Sequence, residues 1–439
     1  MSKGSILYQR AVQVLPGGVS RNLVLRDPHP VYVARAQGFT VEDIDGKKYI
    51  DFSNNVASLI HGHAYPPIVE AVSEQLKKGT AYMLGTEIEI EYAELLHNRV
   101  PQFEQIRFVN SGSEAVMAMI KAARAYTHRP IIAKAEGAYH GSFDTAEVSQ
   151  DPTPENWGNY NNPRSVPHVP GTPDGVLQNV VVFPFNDVQT TINILNKYKD
   201  RIAAILIDPV PHRISMVPAN REFIYALYDW TRAHNCLLCF DEVVTFRSAY
   251  GGAQEKYPVK PDLTSLGKII GGGFPIGALT GRKEIMDILN PRSTNYRYAL
   301  SGTFSANPIS MTAGKIAMEH YTQEKVDYVT ALTEKAKKQV LEAAKIAGVP
   351  ASVTGMGTFF RLFLTSLSPQ HYRETYLYEQ ANKAAIKAAL DYLYDHGIIA
   401  INSLTFMPST VMTEKEIDIL SEVILGMFKH VKPLIKEWR

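Results

Sequence analysis

Lys268 stands between a short apolar run and a glycine run, in Leu263-Thr264-Ser265-Leu266-Gly267-Lys268-Ile269-Ile270-Gly271-Gly272-Gly273. Glycine lets a backbone pass close to a flat ligand and adopt positive φ. A lysine shielded there can lose its proton and attack a carbonyl carbon; taken alone, a solvated lysine is the plainer reading. Asp241-Glu242 closes another apolar run. Acids at the end of a buried strand are costly unless paired or used. A carboxylate held there can keep a nitrogen heterocycle protonated and so make it an electron sink, or it can simply face water. Asn110-Ser111-Gly112-Ser113-Glu114 offers hydroxyls and free backbone N–H groups at a helix start. That suits a phosphate or an ordinary serine cap. In Tyr139-His140-Gly141-Ser142 the aromatic ring could stack on a planar ligand or pack in the core, and Ser301-Gly302-Thr303-Phe304-Ser305-Ala306-Asn307-Pro308 adds hydroxyl and amide donors or a second helix cap.

The elements that must position these residues follow from hydrophobic periodicity. Short apolar runs at 106–109, 131–133, 180–183, 203–207, 236–240 and 263–266 read as strands, with helical stretches such as 114–127 and 221–234 between them. Near-continuous apolar strands alternating with helices predict a mostly parallel sheet covered on both faces. Ligands of such sheets sit beyond the carboxyl ends of the strands, where every stretch above falls. Residues 31–53 alternate apolar and polar around Gly38 and Asp45-Gly46, which predicts a small antiparallel sheet with a tight turn. The tail from 311 returns to helices, with one clear strand near 359–364, and is expected to fold with the N-terminal sheet. The domain expectation is therefore 1–60 and 311–439 in a smaller α+β domain, and 61–310 in a large one. Residues 150–175 hold six prolines and several Asn and Gly; a loop of that length without secondary structure reads as a lid over the neighbouring site or as a surface insertion.

Composition narrows the partners. Over 439 residues, 45 basic side chains balance 44 acidic ones for a net charge of +1, which gives no reason to expect nucleic acid or a membrane surface. The polar start, the lack of a long apolar run and only two cysteines suggest a cytoplasmic protein without a disulfide framework. Cys236 and Cys239 form a C-x-x-C, but on a buried strand positions i and i+3 point to opposite faces, so the sulfurs are expected to diverge. His61-Gly62-His63 reads as packed or hydrogen-bonding histidines, and no metal site is expected.

Together, in this order, the motifs resemble the class III aminotransferases, fold-type I pyridoxal-phosphate enzymes, and among them the glutamate-1-semialdehyde aminomutase-like branch. The resemblance spans nearly the whole chain, through Leu15-Pro16-Gly17-Gly18-Val19, Gly62-His63-Ala64-Tyr65-Pro66, 110–115, 139–141, 240–243, 266–273 and Gly302-Thr303-Phe304. It implies a seven-stranded, mostly parallel α/β sheet between helices and pyridoxal 5'-phosphate as cofactor. It implies Lys268 as the Schiff-base lysine, Asp241 on the pyridine nitrogen, Ser111, Gly112 and Ser113 on the phosphate, Tyr139 and Val243 on the two ring faces, and His140 among the cofactor contacts. Thr303 would reach the phosphate of a neighbouring subunit, implying a homodimer with shared sites, and 150–175 would match the segment that gates the aminomutase.

The chain also departs from that pattern. The family's Glu-Pro after the fourth strand is Asp208-Pro209 here, and Val210-Pro211-His212-Arg213 follows as an atypical stretch shaping the substrate pocket. No arginine occurs between Arg373 and Arg439, where many relatives hold a carboxylate. Arg21, in Gly18-Val19-Ser20-Arg21-Asn22, is the better candidate, since a guanidinium fork matches a carboxylate bidentately. Arg213 is the reserve, and Asn54, Asn55 and His61 are further pocket candidates. The expected activity is amino transfer between an amino acid, β-amino and bulky ones included, and a 2-oxo acid, with ping-pong kinetics. The alternative is an isomerase, an aminomutase or racemase, on the same cofactor.

Overall fold

The computed structural model describes residues 2–438; Met1 and Arg439 lie outside them. Its centre is a seven-stranded sheet in the spatial order Gln105–Val109, Gly277–Gly281, Leu263–Gly267, Leu237–Asp241, Ile202–Ile207, Ile131–Ala135, Val180–Phe183. Gly277–Gly281 alone runs against its neighbours. That strand is absent from the sequence reading because two of its five residues are glycine and glycines flank its approach, a composition that reads as loop.

Side-chain alternation splits the core into two layers. On one face Ile131, Ala133, Phe183, Ile205, Ile207, Leu238 and Phe240 pack against Phe223, Leu227 and Trp230 of the helix Arg221–His234. On the other, Ile132, Ala204, Leu206, Leu237, Leu263 and Leu279 meet Val116, Met119, Ile120 and Ala123 of the helix Gly112–Thr127. Cys236 belongs to the first layer and Cys239 to the second. Burial pushes both thiols up, Cys236 to about 12, as expected of inert packing residues.

Val33–Gln37, Thr40–Asp43 and Lys48–Asp51 form an antiparallel meander, and Ile398–Ile399 extends it in parallel to Lys48–Asp51. A second small sheet joins Ser352–Thr354, Phe360–Phe363 and Thr405–Phe406. Phe52 sits in one apolar cluster with Leu332, Ala336, Leu393, Leu420 and Phe428 of the helices Gln323–Ala347, Lys383–Asp395 and Glu414–Val431. The two ends of the chain thus share a sheet and a core. Among the described residues no helix is long and apolar enough to cross a membrane.

The segment 150–175 is not the structureless lid expected from its prolines. It holds a two-stranded hairpin, Gly158–Asn159 with Asn162–Pro163, followed by the short helix Asp174–Leu177. Arg373 anchors it, pairing with buried Glu136 through Nε and Nη2 (2.8 and 3.0 Å) while donating to the carbonyls of Gly158 (2.8 Å) and Trp157 (3.1 Å). Tyr372 donates to the Pro152 carbonyl at 2.9 Å, and Ser149 to that of Arg164 at 2.9 Å.

The helix Pro308–His320 lies against the short 3-10 turn Lys268–Gly271. Gly314 permits the approach, since a Cβ there would lie 2.1 Å from the Ile270 carbonyl oxygen and 2.8 Å from the Tyr92 ring. Gly314→Ala is expected to cost about 1–3 kcal/mol by overpacking and to displace the turn that carries Lys268. Thermal denaturation should show a lowered Tm; an unchanged Tm would mean the helix can back away without penalty.

Candidate active site

Sheet register gathers the predicted residues at one edge. Asp241 ends its strand opposite Ser265, and Ile207, just before Asp208, pairs with Phe240. Lys268 follows Gly267 at the end of the neighbouring strand, with φ +51°. For a lysine this left-handed backbone is strained, and buried Ile269 and Ile270 hold the turn. Asn110–Ser113 leaves the end of Gln105–Val109, and Tyr139–Gly141 follows Ile131–Ala135. These residues line a cavity of about 370 Å³, within the usual range for small-molecule sites.

Asp241 is buried. Its Oδ2 accepts from His140 Nδ1 at 2.8 Å, and its Oδ1 accepts from Ser265 Oγ and the Val243 N–H at 3.1 Å each. Burial lowers the pKa of His140, so its imidazole is a neutral donor that orients the carboxylate without cancelling its charge. Burial also lowers the Lys268 pKa, against the pull of Asp241 and Asp208, and Arg21 adds to the lowering. An amine disposed to be unprotonated is what nucleophilic attack requires. Burial first, and the nearby Asp241 second, raise Asp208 well above the carboxylate range, while its Oδ1 accepts from the Val210 N–H at 2.9 Å.

Ser111 caps the 16-residue helix Gly112–Thr127: its Oγ accepts from the Glu114 N–H at 3.1 Å, and Glu114 returns an acceptor to the Asn110 N–H at 2.6 Å. The cap and the cradle readings are compatible, because helix geometry leaves the first N–H groups free and both serines still line the cavity. Val243 fits between two glycines. A Cβ on Gly112 would come within 2.7 Å of the valine side chain and one on Gly267 within 3.2 Å. Tyr139 meets His212 edge to face, with centroids 5.6 Å apart. A planar ring bearing a phosphate, a protonatable nitrogen and an aldehyde would thus find an N-terminal helix cradle, a fixed carboxylate and a primed lysine in one cavity.

Other placements differ from expectation. Asn54 does not line the cavity; it is fully buried and its amide is held by the Met407 carbonyl, while its neighbour Asn55 lines the site instead. Arg213 also lies outside the lining and pairs with Asp151. Thr303 is exposed and does not line the cavity. His61 engages Thr410 and the Ala317 carbonyl, both at 2.8 Å, and sits in the core. Arg21 is likewise outside the lining, but it touches the rim through Asn55, donating from Nη1 to Asn55 Oδ1 at 2.8 Å. Lining residues absent from the reading are Ser58, Val116, Val244 and the stretch Phe274-Pro275-Ile276. The latter enters because Gly277–Gly281 starts at the site's edge of the sheet, a consequence of the missed antiparallel strand.

This sheet, with its lysine and acid at the strand ends, is that of a fold-type I pyridoxal 5'-phosphate enzyme. The family model for class-III aminotransferases matches residues 24–428, and the chain belongs to that family. It is 38% identical over 398 residues to the glutamate-1-semialdehyde 2,1-aminomutase of Methanothermobacter thermautotrophicus, covering 90% of each chain. It superposes on an omega-transaminase from Sphaerobacter thermophilus with a TM-score of 0.95 at 43% identity, covering 98% of each. A beta-phenylalanine aminotransferase from Variovorax paradoxus matches with a TM-score of 0.85 at 26% identity, covering 99% of this chain and 96% of that one.

Lys268→Ala is expected to abolish turnover and the visible absorption band of the lysine-bound cofactor; retention of that band would move the covalent attachment elsewhere. Glu242 faces away from this chemistry, accepting from Thr245 Oγ1 (2.9 Å) and the N–H groups of Ala253 (2.8 Å) and Gln254 (2.7 Å). Burial raises its pKa from 4.5 to about 7. The folded chain therefore keeps a proton that the unfolded chain releases between those values, and this residue's contribution to stability falls as pH rises through that window. Glu242→Gln should flatten the dependence of Tm on pH from 4.5 to 7; an unchanged slope would assign the proton to another group.

Proposed function

We propose that this chain is an aminotransferase that takes the amino group from a carboxylate-bearing amine, β-amino or bulky, and passes it to a 2-oxo acid. Bound pyridoxal 5'-phosphate supplies the electron sink that makes the α C–H bond acidic. Ser111, Gly112 and Ser113 are the residues to hold its phosphate, Asp241 its ring nitrogen, and Tyr139 and Val243 its two faces, with His140 and Asp208 beside Asp241. Lys268 would hold the cofactor's aldehyde carbon through Nζ, with loss of water; displaced by the substrate's amine, its own neutral amine would carry a proton from one carbon to another.

The observation that carries the substrate reading is Arg21. Among the described residues its side chain makes one hydrogen bond, to an uncharged partner, and it acts electrostatically on Lys268. A guanidinium so placed can take a carboxylate bidentately. Intermolecular transfer is favoured because a half-reacted product must leave before the second substrate enters, and the anchored segment 150–175 contributes nothing to the cavity wall. The transaminases among the solved structures, one at 43% identity, point the same way.

The second reading is an aminomutase. The curated relatives at 35–38% identity carry that name, and by name alone they favour it over intermolecular transfer. Either reading is compatible with a homodimer: Phe304 and Phe274 leave apolar surface exposed beside Thr303 and the cavity mouth, and we propose that a second copy covers it.

The two reactions separate by acceptor dependence. With an amino acid alone, the aminotransferase should stop after one equivalent of product per site, and adding a 2-oxo acid should restore turnover with parallel double-reciprocal lines. Sustained turnover of glutamate-1-semialdehyde without any added acceptor would establish the aminomutase instead.

A further inference from the structure

Asn54, Asn55, Val56 and Ala57 all have left-handed φ, at 46°, 48°, 56° and 76°. A left-handed helical turn is unfavourable for L-residues, and for β-branched Val56 it is an outlier. Such strain persists only where the surroundings over-determine it, and here they do. Asp51 Oδ1 accepts from the Ser53 N–H (2.7 Å), Ser53 Oγ (2.7 Å) and the Asn54 N–H (3.1 Å), and Asp51 Oδ2 binds His63 at 2.8 Å. The Asn54 amide is tied to Met407, and fully buried Arg247 donates to the Ala57 carbonyl at 3.4 Å.

The turn places Asn55 on the cavity wall. Its Nδ2 donates to Ser58 Oγ at 3.1 Å, and Ser58 Oγ donates to the Asn55 carbonyl at 3.0 Å. That relay fixes which way the amide faces and turns Oδ1 toward Arg21 Nη1, 2.8 Å away. A neutral acceptor fixes the guanidinium in direction yet leaves its whole charge and its remaining N–H donors for a ligand. An aspartate in the same place would consume the charge.

We infer that Asn55 is the positioning residue for Arg21, and that the strained turn 54–57 sets the enzyme's preference for amines that carry a carboxylate. The inference rests on the reading that Arg21 binds the substrate carboxylate. It makes Asn55 a determinant of specificity acting through Arg21.

The test compares holoenzyme variants on a matched pair of donors, 3-amino-3-phenylpropanoate and 1-phenylethylamine, with pyruvate as acceptor. The readout is the ratio of their kcat/KM values, with Tm measured alongside. Asn55→Gly relaxes the backbone but removes the amide, and Asn55→Asp keeps the shape but adds a charge. Each is expected to lower the ratio about tenfold, the effect of one hydrogen bond to a charged group, without a matching fall in Tm for the glycine variant. Arg21→Gln is the control for the underlying reading and should collapse the ratio further. If Arg21→Gln collapses it while both Asn55 variants leave it unchanged, the inference is overturned and the carboxylate reading stands. If Arg21→Gln leaves it unchanged, the carboxylate reading falls and takes the inference with it. If both donors lose equally in the Asn55 variants, the turn serves folding alone and the inference is again overturned.

Discussion

A carboxylate at the end of a buried strand is unfavourable until a group able to share its charge is brought against it, and the site depends on that constraint at Asp241. Strand register puts its backbone opposite Ser265, and three neighbours hydrogen-bond its two oxygens. None of the three is a cation, so the carboxylate keeps its demand for one. A protonated ring nitrogen would meet that demand. Burial also lowers the Lys268 pKa, so one cavity would prepare both ends of the cofactor's chemistry.

Rigidity around that cavity comes from close backbone approach and from strain. Val243 can lie where it does because Gly112 and Gly267 lack side chains, and the helix Pro308–His320 can press on the lysine turn because Gly314 does. Lys268 and the turn 54–57 hold left-handed conformations that L-residues seldom adopt. Both are buttressed by buried neighbours, and both carry a side chain of the site. At these two places strain aims a side chain of the site, and the surrounding sheet and core offset it.

The large sheet was legible because its strands Ile202–Ile207 and Leu237–Asp241 are apolar on both faces, a pattern that only a doubly covered parallel sheet explains. Lys268 and Asp241 were legible because they interrupt such runs at their carboxyl ends. What stayed hidden had a local composition that argued against its structure. Gly277–Gly281 reads as loop, and with it went the wall Phe274-Pro275-Ile276. The prolines of 150–175 gave no sign of the Arg373–Glu136 pair that anchors the segment, because those partners are 237 residues apart. Asn54 and Asn55 are identical in type and adjacent, so only the left-handed backbone decides that one is buried beneath Met407 and the other faces the site.

The two charged groups that would contact ligand are oriented in the same manner. His140, neutral because it is buried, directs Asp241; Asn55, neutral by its chemistry, directs Arg21. A charged partner would fix either group more strongly but would compete with the ligand for it, and charge-assisted hydrogen bonds are about twice as strong as neutral ones. Arg213 shows the other outcome. Paired with the carboxylate of Asp151, it is committed to holding the protein together. Among the arginines considered for substrate binding, the one left with an uncharged partner is therefore the one with binding capacity to spare, which is why the specificity argument rests on Arg21.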